Sequence, residues 1–89
     1  MIKQTAGRDS MGGFAPKFAE INDDVLFGEV WSREAQLLLR DRSLITVTAL
    51  MSMGLVDSSF QYHLNTAKKN GVTKTEIAEA LTHLGFYAG

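Results

Sequence analysis

A chain of 89 residues, 45% hydrophobic, with no cysteine and a formal net charge of −1, is the size of one domain. That composition excludes disulfides, thiolate chemistry and cysteine metal sites, and it lacks the basic footprint of a nucleic-acid binder. So short a chain cannot cover this much apolar surface with its own neighbours, so self-association is expected.

The opening stretch Met1-Ile-Lys-Gln-Thr-Ala-Gly-Arg8 is polar and lacks the apolar core of a signal peptide. No run is long and apolar enough to span a bilayer, so no membrane partner is expected and a cytoplasmic location is the default. Residues 1–13 contain Gly7, Gly12 and Gly13 and little apolar periodicity, and they read as a loose N-terminal arm. Residues 14–89 read as a single helical domain. Pro16 suits a first helical turn. Phe14, Phe18, Ile21 and Val25 recur at helical spacing, which predicts a helix from about Ala15 to Asn22–Asp23. Asn22-Asp23-Asp24 is also suited to capping a second short helix through Trp31. Ser32 to Leu39 reads as a connector.

Arg40 to Met53 is the stretch around which the rest is organised. Charge crowds its start, and Leu44 to Met53 is apolar apart from Thr46, Thr48 and Ser52. A helix apolar on almost every side is a buried one. Asp41 suits the positive end of its dipole. Gly54 stops it, and Asp57 or Ser58 starts the next helix, with Ser58 and Gln61 at capping-box spacing. Phe60, Leu64 and Ala67 form one face there, with His63 within it. Lys68 and Lys69 fall in the last turn, and Asn70-Gly71 gives a left-handed end. Thr73 with Glu76 is a second capping box. Ile77, Ala80, Leu81, Leu84 and Ala88 then form a 3.6-residue stripe. The predicted class is all-α. Phe86-Tyr87-Ala88-Gly89 carries no stop signal, so the last helix is expected to continue or to end against another subunit. Met1, Met11, Met51 and Met53 read as core filler. Trp31 reads as an interface anchor.

Several strings together resemble the carboxymuconolactone decarboxylase family. They are Leu39-Arg-Asp-Arg-Ser-Leu-Ile-Thr-Val47, Tyr62-His-Leu64, Ala67-Lys-Lys-Asn-Gly-Val-Thr-Lys-Thr-Glu-Ile-Ala-Glu79 and Leu81-Thr-His-Leu-Gly-Phe-Tyr-Ala-Gly89. Asn22-Asp-Asp-Val-Leu-Phe-Gly-Glu-Val-Trp31 is similar to the family's lead-in helix. The resemblance implies an all-helical, alkylhydroperoxidase-D-like bundle that assembles as a homotrimer or homohexamer. The family's peroxidase branch carries an acidic residue, a Cys-x-x-Cys pair and a histidine. With His63 in the histidine place, the cysteine places fall on Val56 and Ser59 and the acidic one near Ser43–Leu44. Thiol peroxidase chemistry needs a thiolate, so it is excluded for this chain. What remains resembles the decarboxylase branch, where His63 carries over by position.

Decarboxylation of a carboxymuconolactone requires no metal or organic cofactor. Loss of carbon dioxide sends electrons into a dienolate, so a site needs donors for that oxygen and an acid for the α-carbon. Each such donor contributes about 3–4 kcal/mol. Histidine titrates near neutrality and suits the acid, which points to His63. Arg40 or Arg42 would hold a substrate carboxylate by a bidentate pair. Glu29 would orient His63 or complete a polar relay, and His83 is the other titratable candidate. Each has a structural alternative. A histidine on an apolar helix face is commonly a packing residue, Arg40-Asp41-Arg42 suits a solvated helix start, and Glu29 suits the wet edge of its helix. His63 and His83 lie on separate helices with no third ligand, so no metal site is expected.

Overall fold

A computed structural model describes residues 4–88 and shows an all-helical chain. Met1, expected as core filler, lies outside the described residues. The chain divides into two compact units, one ending at Leu37 and the other beginning at Leu38.

The first unit holds α1 (Ala6–Met11), α2 (Pro16–Glu20) and a π-helical segment (Ile21–Val30). The stretch expected to be a loose arm therefore carries a helix. Its backbone is tied by a contact remote in sequence: the Asp23 carboxylate accepts the N–H groups of Gly7 at 2.7 Å and Arg8 at 2.9 Å. Pro16 takes the first turn of α2, as its locked φ favours. α2 runs without a break into the π segment, so Asn22-Asp23-Asp24 caps no new helix. The i→i+5 register is visible where the Trp31 N–H reaches the Leu26 carbonyl at 2.9 Å. The buried positions here are Gly7, Ala19 and Asp23, whereas Phe14, Phe18, Ile21 and Val25 are exposed, Phe14 at 92%. Trp31 stacks on Phe27, one turn earlier, with ring centroids 6.1 Å apart.

The second unit holds α3 (Leu39–Ser52), α4 (Ser58–Lys69) and α5 (Lys74–Leu84). Gly54 (φ 71°) and Gly71 (φ 95°) sit in the left-handed region after α3 and α4, where a side chain would be strained. Asp57, not Ser58, caps α4, accepting the N–H groups of Ser59 and Phe60. Gln61 turns instead to Asn65 at 3.3 Å, so the predicted Ser58–Gln61 box does not form. The Thr73–Glu76 box forms in both directions at 3.1 and 2.9 Å.

Val47, Ala67 and Val72 are the buried core of this unit, with Leu44, Met51, Phe60, Leu64 and Ile77 packed around them. Two polar ties fix the helix directions. The Asn70 side-chain amide donates to the buried Ser43 hydroxyl at 2.9 Å, setting the end of α4 beside the start of α3. Arg40 pairs with Glu76, joining the first turns of α3 and α5. α4 thus runs antiparallel to α3, and α5 runs parallel to it. α3 is less buried than its sequence suggests. Ser43 and Val47 are its buried residues, while Ile45 is 56% and Met53 65% exposed. Two neighbouring helices cover one side of α3, and the remaining apolar positions face outward.

Glu76 serves both the α5 cap and the tie to α3. Glu76→Ala is expected to lower stability by about 1–2 kcal/mol, and Arg40→Ala, which leaves the cap intact, by under ~1 kcal/mol. Urea unfolding of both variants checks the difference.

Candidate active site

The start of α4 at Asp57 sets its helical phase, which turns Phe60, Leu64 and Ala67 toward α3. His63, three residues after Phe60 and four before Ala67, shares that side and is half-buried. Its ring meets Tyr62 edge-on, with centroids 5.1 Å apart and planes at 80°. Burial pushes the imidazole pKa below its ordinary 6.5, because the charged form loses hydration. His63 is therefore mostly neutral at pH 7.

Arg40 and Arg42 both lie in the first turn of α3. Arg40 is engaged by Glu76 and, at 3.4 Å, by Asp41. Arg42 is half-buried, with its Nε shielded from solvent. The Arg40 guanidinium stands near the positive ends of two helix dipoles, since its pair with Glu76 sets the starts of α3 and α5 side by side. That end of the unit suits an anionic group. His63 lies seven residues before Asn70, about 10 Å along α4 from the Ser43–Asn70 tie at the same end.

His83 is exposed in the last turn of α5 and stacks on Tyr87, with centroids 4.8 Å apart and planes at 29°. It sits at the opposite end of the unit from the arginines. Glu29 belongs to the first unit, on the π segment, with an exposed side chain. The structure thus gathers Arg40 and Arg42 on one turn, sets His63 midway along the neighbouring helix, and puts His83 at the far end. Sequence reasoning did not foresee that Glu76 would engage Arg40 or that Asn70 would reach Ser43. Both residues had already been explained by local capping, and nothing in the spacing marks their distant partners.

A cavity of about 260 Å³ opens at the C-terminal ends of α3 and α5, lined by Met51, Ser52, Gly54, Leu81, Leu84, Gly85 and Ala88. It has no charged side chain, and its lining includes neither His63 nor the two arginines. The Ser52 hydroxyl is already donated to the Ala49 carbonyl at 2.7 Å. Among the described residues, no three His, Asp or Glu side chains gather as a metal site would require, and no helix is long and apolar enough to cross a membrane.

Comparison with known proteins bears on this arrangement. The model of the carboxymuconolactone decarboxylase family matches residues 16–89. A 4-carboxymuconolactone decarboxylase from Acinetobacter baylyi (strain ATCC 33305 / BD413 / ADP1) is 36% identical over 81 residues, 91% of this chain. The chain spans 59% of that relative's length. No solved structure matches it. The family match runs through the π segment and all three helices of the second unit, so the helix carrying His63 and the turn carrying both arginines fall inside it, and the chain belongs to the carboxymuconolactone decarboxylase family.

Proposed function

We propose that this chain serves a cofactor-free carboxy-lyase that acts on a carboxylated unsaturated lactone, with His63 as the general acid. The observation that carries the reading is a half-buried imidazole on the core side of α4, in a chain similar to a 4-carboxymuconolactone decarboxylase. The substrate carboxylate leaves as carbon dioxide, and its electron pair passes through the ring to the carbonyl oxygen. The His63 imidazolium then gives its proton to the α-carbon and is recharged from water. A lowered pKa leaves less imidazolium at pH 7 but makes each one a stronger acid. Arg42 is the preferred clamp for a substrate carboxylate, because Arg40 would first have to release or share Glu76. Glu29, exposed on the π segment, and His83, at the far end of the unit from the arginines, have no step assigned in this reading.

One observation favours a second reading, an oligomeric binding protein that has kept the scaffold without the chemistry. The cavity at the C-terminal ends of α3 and α5 is lined without any charged side chain and does not include His63. Purified protein incubated with carboxymuconolactone separates the two. The enzyme reading expects enol-lactone formation that falls at least a hundredfold in His63→Ala, about the contribution of a general acid. No turnover above buffer supports the binding protein, and full turnover in the variant removes His63 as the acid.

The pH dependence has a definite sign. The folded state holds its His63 proton less tightly than the unfolded chain does. The stability contribution is therefore complete above the unfolded value of 6.5 and declines as pH falls below it, levelling off below the lower folded value. Turnover runs the other way, since it needs the imidazolium, and kcat should rise as pH falls toward the folded pKa. A pH–rate profile beside an NMR titration of the imidazole checks both.

Self-association is part of the same proposal. Phe86 and Tyr87 are 85% and 79% exposed, and surfaces of this kind mark interaction sites. Light scattering on a sizing column should give a mass three or six times the 9.8 kDa chain. A stable 9.8 kDa species at micromolar concentration would remove this part of the reading.

A further inference from the structure

The docking of α1 rests on one carboxylate. The side chain of Asp23 is closed off from solvent. Its Oδ1 accepts the Gly7 N–H at 2.7 Å and the Asn22 side-chain amide at 3.1 Å. Its Oδ2 accepts the Arg8 N–H at 2.9 Å and lies 3.4 Å from Arg8 Nη1. The Arg8 guanidinium also grips Asp24 with both terminal nitrogens, at 2.8 and 2.7 Å. Approach this close requires a bare backbone. A Cβ on Gly7 would stand 2.7 Å from Asp23 Oδ1, 2.8 Å from Asn22 Nδ2 and 3.1 Å from the Ala19 carbonyl.

α1 has little else to hold it. Its six residues are too few to be helical alone, it has no side-chain cap, and its one buried residue is Gly7. An apolar helix face docks gradually, contact by contact. Here the buried docking contact uses two backbone donors and one acceptor group, with the Arg8–Asp24 pair at its exposed rim, and loss of the buried acceptor strands both donors.

We infer that Asp23 is a latch: its ionised carboxylate holds α1 closed on the π segment, and removing that charge opens α1 while α3, α4 and α5 stay folded. The charged groups around the carboxylate are Arg8 from α1, Asp24 beside it on the π segment, and Glu20 of α2, which acts on Arg8. Burial by itself would raise the Asp23 pKa. The N–H groups of Arg8 and Gly7, the Asn22 amide and the Arg8 charge outweigh burial and hold it below the ordinary 3.8. The latch is therefore shut throughout the neutral range and opens only when the pH falls below 3.8.

Amide hydrogen exchange at Gly7 and Arg8 tests this directly. In the unaltered chain at pH 7 both amides should be protected, and in Asp23→Asn both should exchange at least tenfold faster. Gly7→Ala should reproduce the effect with the carboxylate in place, and amides of α3 to α5 should keep their protection in both variants. Trypsin cleavage after Arg8 should accelerate in parallel. Unchanged exchange in both variants, or unprotected amides in the unaltered chain, would overturn the latch. So would loss of protection in α3 to α5 together with α1, which would make Asp23 a global stability residue and not a local fastener.

Discussion

The second unit depends on the close approach of α3 and α4 at Val47 and Ala67. Both side chains are small, so the helix axes draw near enough for Leu44, Met51, Phe60 and Leu64 to close around them. That approach also brings Asn70 to Ser43 and fixes how far α4 can slide along α3. Once α4 is registered, the turn at Gly71 and the Thr73–Glu76 cap deliver Glu76 to Arg40. The position of His63 follows from this register, because it shares the face that must meet α3. The same small core leaves large side chains outside. Ile45, Met53, Phe86 and Tyr87 find no cover within the unit, since three helices can shield only the surfaces they turn toward one another.

What the sequence revealed, and what it hid, follows from the range of the forces involved. The ends of α3 and α4 and the start of α5 were legible at Gly54, Gly71 and Thr73 because a φ preference or a cap acts within about four residues, whereas α5 stops at Leu84, short of the Ala88 to which its stripe extends. The half-buried place of His63 was legible from its phase between Phe60 and Ala67. Asp57 prevailed over Ser58 at the α4 cap because a carboxylate accepts two backbone N–H groups at a helix start more strongly than a hydroxyl does. Contacts over longer stretches were not legible. Gly7 and Asp23 are 16 residues apart, and each alone suggests a loop or a cap. The stripe of Phe14, Phe18, Ile21 and Val25 predicted a helix, but the side chains buried there are Ala19 and Asp23, the latter turned to the backbone of Gly7 and Arg8. Periodicity cannot reveal this, because the partner of Asp23 lies on another helix.

The electrostatics of the second unit separate its two ends by chemistry. α3 and α5 start together and end together, so their dipoles add instead of cancelling. Their first turns present positive partial charge beside Arg40 and Arg42. Their last turns present carbonyl groups around an apolar cavity with no cation in its lining. In the proposed reading, a substrate carboxylate placed in the cavity would be an anion buried against two negative helix ends, with no cation in the lining to offset the cost. The same carboxylate at the arginine end meets a guanidinium and two positive helix ends. The arginine end is thus the better match for a carboxylate, and His63, midway along α4, is closer to that end than His83 is. On charge alone, the proposed reaction fits best between the start of α3 and the middle of α4, where cationic groups would stabilise an oxyanion and an imidazole would be recharged from solvent.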